Sequence, residues 1–279
     1  MAFPWGDFAV NLGVTAAAVV AMMAIVMAVA IAIKNQSIID ILWGPGFAVI
    51  AAVSYALSAG SGGDGARRLV VLALTAVWGL RLGGYIARRN LGHGQDPRYT
   101  ALLRHRQGSL VMFLVRKVYG LQGALMWLVS IPVQAAMYEH AGLGAVGLIG
   151  VVVWAAGLAF EAAGDWQLTR FKSDPANRGT VMDRGLWGWT RHPNYFGDSC
   201  VWTGLWILAL GSPLGLITVF SPAVMTVLLL EFSGKALLEK RMLRSKGAAY
   251  AAYLESTSGF FPLPPRRQRE RFSRRAGGR

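Results

Sequence analysis

The segment Arg191-His192-Pro193-Asn194-Tyr195-Phe196-Gly197-Asp198 brings a cation, an imidazole, an amide and a carboxylate into one short stretch. Asn194 and Asp198 stand four apart, so a helix that starts here carries both on one face. Pro193 holds His192 in extended geometry. Arg170, Lys172, Arg178 and Arg184 lie just upstream. Cations beside amide and carboxylate groups suit a ligand with phosphates and hydroxylated sugars, a description that fits a dinucleotide. The same basic loop reads equally well as an anchor on the cytoplasmic side of a membrane. No Gly-x-Gly-x-x-Gly follows a strand, so nothing supports a Rossmann domain. His93, His105, His140 and His192 show no ligand spacing, and no metal is expected. Cys200 is the one cysteine, which excludes an internal disulfide and reads as a small apolar filler.

A second set of ionisable groups sits inside apolar runs. Asp40 lies in Ile38–Gly44, Arg81 in Trp78–Leu82 with Tyr85 one turn on, and Glu161 and Asp165 are again four apart. Glu231 is near the end of the last apolar run. A charge at a bilayer centre costs about 2.5–3.5 kcal/mol on insertion scales, so each needs a reason. Mutual pairing that stabilises a bundle is one reason, and a polar cavity in its inner half is the other. Asp40 and Arg81, on consecutive antiparallel helices, are expected to face one cavity.

The elements that must position these groups are membrane helices. The chain has 279 residues, 54% hydrophobic and only 15% charged, against about 25% charge in globular domains. Apolar spans fall at 8–33, 38–59, 69–87, 118–137, 143–164, 196–211 and 214–232. The expected fold is an all-α polytopic bundle of about seven transmembrane helices. Arg116-Lys117 breaks the fourth run, which places 109–117 at the interface. The net charge is +14, and the apolar spans make a membrane surface a better partner for it than nucleic acid. Basic residues crowd the segments after the third, fifth and seventh spans, which puts the N-terminus outside and the C-terminus in the cytoplasm. Arg67 and Arg68 are exceptions to this asymmetry. Residues 1–265 form one transmembrane domain, with substrate-side helices over 1–137 and a cofactor-binding half over 138–265. Residues 266–279 form a basic disordered tail. Met1–Asp7 has no Lys or Arg, so it does not open a cleavable signal peptide. The expected setting is a multi-pass monomer of the cell inner membrane.

The segment 191–198 resembles the R-H-P-N-Y-x-G-D-like segment of membrane steroid 5α-reductases and sterol reductases, and of a bacterial branch related to them. Asp40 with Trp43-Gly44, Trp78-x-x-Arg81-Leu82, Asp96-Pro97-Arg98-Tyr99, Gly234-Lys235-x-x-Leu238-Glu239-Lys240, Tyr250-x-x-Tyr253 and Phe260-Phe261-Pro262 fit the same pattern. The likeness covers most of residues 37–265 and is strongest from 161 onward. It implies seven helices and an NADPH-dependent reduction of a carbon–carbon double bond in an apolar enone or sterol-like lipid. Carried over position by position, cofactor contacts fall on Glu161, Asp165, Lys172, Arg178, Asn194, Asp198, Lys235 and Glu239. Arg191, His192 and Tyr195 of the segment itself belong to the same set. In the family a Glu of the second helix and a Tyr of the third polarise the substrate carbonyl. Here Asp40 stands for the Glu, Trp78 occupies the tyrosine's place, and Tyr85 lies two turns further on. Asp40, Arg81 and Tyr85 are therefore the catalytic expectations. The isoprenylcysteine carboxyl methyltransferases carry a similar segment and bind S-adenosylmethionine, which makes methyl transfer the alternative. Asn194 and Asp198 favour the reductase. A non-catalytic lipid-binding protein is the third reading, favoured by Trp78.

Overall fold

The computed structural model describes residues 2–232 and 235–265. The basic tail after Pro265 and the motif's Gly234 lie outside the described residues. Those residues form helices with no strand among them. In chain order the helices are α1 (Trp5–Ala32), α2 (Ile38–Leu57), α3 (Gly65–Asn90), α4 (Pro97–Arg104), α5 (Leu110–Ala136) and α6 (Gly144–Ser173). They continue with α7 (Pro193–Ile207), α8 (Pro213–Glu231), α9 (Lys235–Lys246) and α10 (Ala248–Ser256). Six of them, α1, α2, α3, α5, α6 and α8, are long and apolar enough to cross a membrane. The protein is a multi-pass helical membrane protein.

Two spans differ from expectation. Helix α5 begins at Leu110 and runs straight through Arg116-Lys117, with a π-turn over Val115–Tyr119. Both basic side chains are exposed, while Leu114, Val118 and Tyr119 beside them are buried. The charges stay on the helix's outer face, where long stems carry them toward water, so they do not end the helix. The expected sixth span is α7, which has 15 residues. At 1.5 Å per residue it reaches ~22 Å, short of a ~30 Å hydrocarbon core.

The chain packs as two compact units. The first takes in residues 1–150 and 205–221, the second 151–204 and 222 onward. In the first, α2 and α3 meet through glycines. A Cβ added at Gly44 would stand 2.1 Å from the Gly79 carbonyl oxygen, and one at Gly79 would stand 2.2 Å from that of Gly44. One turn on, Gly83 packs against Pro45 and the Ile41 carbonyl. Small residues are what allow membrane helices this approach. Arg67 is only 4% exposed. It donates to the carbonyls of Ala141 (3.0 Å), Gly142 (2.7 Å) and Leu208. Arg68 donates to Ser58 Oγ and the Tyr55 carbonyl and lies over the Tyr55 ring. Both exceptions to the charge asymmetry are thus committed to holding chain segments together.

In the second unit, α6 and α7 also cross on glycines. A Cβ at Gly197 would lie 2.5 Å from Glu161 N, and one at Gly157 would lie 2.6 Å from Gly197 O. Beyond α10 the chain laces onto the segment that precedes α7. Arg191 N donates to Ser258 O (2.9 Å), Thr190 Oγ to Phe260 O (2.7 Å) and Leu263 N to Trp189 O (3.0 Å).

Candidate functional site

The second unit holds the chemistry-rich segment. Pro193 opens α7, where its missing N–H costs nothing. Just before it, Arg191 and His192 turn to Glu239 of α9. Glu239 Oε1 accepts from Arg191 Nε at 2.8 Å and from His192 Nε2 at 3.0 Å. Arg191 also donates to the carbonyls of Leu254 (3.0 Å) and Thr257 (2.7 Å). Burial pushes the His192 imidazole below its ordinary range, and the Glu239 carboxylate recovers part of that shift. Burial alone would raise Glu239, yet the hydrogen bonds from His192 and Arg191 hold it below the usual carboxylate range. A carboxylate only accepts, so His192 carries its proton on Nε2. The ring stacks on Tyr195, with centroids 5.1 Å apart and planes 5° from parallel.

Next to this knot is a cavity of about 300 Å³. Four of its lining residues are cations: Lys172 of α6, Arg178 of the following loop, Arg191, and Lys246 at the end of α9. No carboxylate lines it. The rest of the wall is mostly apolar and aromatic, including Leu168, Phe171, Met182, Trp187, Met242, Tyr250 and Tyr253, with Asn177, Thr180 and His192 as neutral polar members. Burial pushes the Tyr250 hydroxyl up to about 12, so it stays protonated and neutral near neutral pH. Tyr253 donates to Trp187 O at 2.6 Å, which ties α10 to the loop before α7.

Of the expected cofactor contacts, the cavity gathers Lys172, Arg178, Arg191 and His192. Glu239 stands behind two of them as their shared acceptor, and Tyr195 backs the imidazole. Glu161, Asp165, Asn194, Asp198 and Lys235 are not among its lining residues. Asn194 Nδ2 instead donates to Asp165 Oδ1 at 3.3 Å, and Glu161, Asp165 and Asp198 are buried near the α6–α7 crossing.

The first unit holds a different cluster. Asp40 accepts from Tyr99 Oη at 2.6 Å and from Arg98 at 2.8 Å. Tyr99 Oη in turn accepts from Gln122 Nε2 at 3.3 Å, and Gln122 Oε1 accepts from Trp43 Nε1 at 2.6 Å. Because an indole N–H can only donate, the Gln122 amide is oriented, and so is the Tyr99 hydroxyl. Asp96 caps α4 and holds Arg98 at 3.1 Å. Burial and the Asp40 charge push the Tyr99 hydroxyl above the ordinary phenol range.

Asp40 and Arg81 were expected to face one cavity, and the partners that hold Asp40 are Tyr99 and Arg98. Arg81 is two residues, about 200°, round α3 from Gly79 and Gly83, the glycines that face α2. It therefore leaves the helix on the other side. Its guanidinium lies 5.5 Å from the centre of the Tyr85 ring, with Arg89 at 5.9 Å from the same ring. Trp78 is 1% exposed and packs on Phe47, as a core residue does.

A family model described as "Protein of unknown function (DUF1295)" matches residues 26–257. The chain belongs to the DUF1295 family. No curated protein matches it. The DUF1295 match spans both units, so each cluster lies within the family's own stretch. Sequence reasoning missed Tyr99, Gln122 and Lys246 in this DUF1295 chain. Tyr99 was visible in the Asp96–Tyr99 segment, but nothing in the sequence shows a short amphipathic helix folding back onto Asp40. Lys246 looks like one more basic residue in a basic stretch until the cavity is seen beside it.

Proposed function

We propose that this DUF1295 member is an NADPH-dependent reductase of the cytoplasmic membrane, acting on a carbon–carbon double bond conjugated to a carbonyl in an apolar, lipid-soluble substrate. The observation that carries the reading is the second unit's cavity, whose wall has four cations and no carboxylate among apolar and aromatic residues and the neutral polar Asn177, Thr180 and His192. Such a wall suits an anionic, aromatic ligand. It disfavours S-adenosylmethionine, whose sulfonium and ammonium would face those cations. NADPH fits the donor set, with Lys172, Arg178 and Lys246 meeting phosphate oxygens and Tyr250 and Trp187 offering flat walls to a base. When bound, NADPH supplies the hydride. The chain's own task is to polarise the acceptor. In the first unit Tyr99 gives its proton to Asp40 at 2.6 Å with Arg98 alongside, so Tyr99 would polarise a substrate oxygen only by turning that proton away from Asp40. Tyr99 takes the role for which Tyr85 was expected. The resemblance to the membrane steroid and sterol reductases supports the same chemistry.

The test is equilibrium binding to the purified chain in lipid nanodiscs. NADPH is expected to bind and S-adenosylmethionine to fail. Binding of S-adenosylmethionine without NADPH replaces the reading with methyl transfer.

A further inference from the structure

We infer that the strap after α10, residues 258–265, is seated in lipid, with Phe261 and Leu263 among the acyl chains and glycerol groups of the leaflet at that end of α6. Phe261 is 65% exposed, and Leu263 is exposed together with Trp189, to which its backbone is bonded. Large apolar side chains gathered on one surface mark a contact with a membrane or a partner. Depth along α6 shows what surrounds them. Trp166, 60% exposed, stands ~33 Å along α6 from Gly144, about the thickness of a hydrocarbon core. One turn further on, the Arg170 guanidinium lies 5.6 Å from the centre of the Trp166 ring. An aromatic followed by a cation on a long stem is the pattern of a span leaving lipid. Trp166 therefore marks the interface.

A chain of rings ties the strap to that depth. Phe160 is six residues before Trp166 on α6, ~9 Å deeper in the bilayer. Its ring packs edge-on against Phe196, in the first turn of α7, at 5.3 Å. Phe196 in turn meets Phe260 at 5.8 Å and Phe261 at 6.2 Å. Even with both steps running straight outward, Phe261 reaches only about the level of Trp166. The backbone suits such a place, because lipid tolerates irregular chain only where its polar groups are paired. Pro262, Pro264 and Pro265 have no N–H, and the Leu263 N–H donates to Trp189 O at 3.0 Å. No backbone donor is thus left over from 262 to 265. Upstream, the Ser258 and Phe260 carbonyls accept from Arg191 N and Thr190 Oγ. None of these contacts depends on what the cavity binds.

The experiment places single spin-labelled cysteines in the full chain, in a Cys200→Ser background, reconstituted in phospholipid bilayers. It compares relaxation by oxygen, which concentrates in lipid, with relaxation by a nickel chelate, which stays in water. Cysteine replaces in turn Phe261, Val152 on the exposed face of α6, and Arg184, whose side chain is 79% exposed. We expect oxygen to dominate at Phe261→Cys as at Val152→Cys, and the nickel chelate to dominate at Arg184→Cys. Dominance of the chelate at Phe261→Cys overturns the inference. So does a label there that is shielded from both, the result a second copy of the chain on the strap would give. Should Phe261→Cys fail to fold, the unaltered chain is irradiated in bilayers that contain a phospholipid with a diazirine on its acyl chain. Adducts within Phe260–Leu263 are expected beside those at Val152, and adducts at Val152 without any on the strap overturn the proposal.

Discussion

The Asp40 cluster of the first unit and the Glu239 knot of the second are both carboxylates answered by an arginine and one further donor, yet they sit in opposite electrostatic settings. Asp40 meets Arg98, which Asp96 also holds, so two acids share one cation. The Arg98 side chain is 42% exposed and stays hydrated. Glu239 meets Arg191 and His192, whose side chains are 12% and 2% exposed, and the neighbouring cavity adds further cations with no acid. The first cluster has one acid more than its cation and holds one hydroxyl in a set direction. The second keeps an excess of positive charge. Lys172 and Arg178 are exposed, so water solvates them, and an anion in the cavity would exchange for that water.

The sharpest way to break this contrast is to remove the two acids in parallel. Glu239→Leu strands a buried guanidinium, so we expect a loss of about 3 kcal/mol in denaturant unfolding, together with loss of nucleotide binding. Asp40→Leu leaves Arg98 able to reach water and keep Asp96, so about 1–2 kcal/mol is expected, mostly from the stranded Tyr99 hydroxyl. Equal losses would show that the two clusters do not differ as their exposure implies.

The cavity's cations should behave differently again. Lys246→Ala and Arg178→Ala are each expected to weaken NADPH binding about tenfold. Unfolding midpoints should stay within about 0.5 kcal/mol of the parent, as for surface changes. If stability falls and binding does not, the cations are structural.

A smaller effect is expected from pH. Folding depresses the Glu239 carboxyl and the His192 imidazole, so the unfolded chain binds more protons in both ranges. Stability is then fully present above the unfolded imidazole range, near pH ~6.5, and declines as pH falls through the folded values. Glu239→Leu should remove the carboxylate part of that decline in the melting temperature, between pH ~5 and ~4, and leave the imidazole part in place. A melting temperature that rises over the same fall in the wild type contradicts the assignment.

The last measurement involves no change in stability. Reporters after Arg279 and at Gly62 are expected to read cytoplasmic and outside, respectively. Both on one side would mean that α7, with its 15 residues, does not complete a crossing.

Much of this was legible beforehand because lipid simplifies the problem. A chain that must satisfy every backbone group without water forms helices wherever it is apolar for long enough, and six such helices appear where apolar runs lie. The same logic misplaced the start of α5, because Arg116 and Lys117 were counted as breaks. Charge ends a span only when it faces inward, and here both face out. Arg67 and Arg68 looked like orientation signals and turned out to hold carbonyls and a ring.

By itself the sequence determined the all-helical membrane class, the positions of the apolar spans to within a few residues, and the concentration of chemistry in 191–198. Those follow from local composition and spacing, which one stretch of chain carries alone. The tertiary structure decided which groups meet. The α2–α3 glycine contact turned Arg81 away from Asp40, α4 folded Tyr99 and Arg98 onto it, and α9 brought Glu239 and Lys246 to the segment before α7. Each of these partnerships joins residues far apart in the chain, and no periodicity or propensity specifies which distant face a helix will cover.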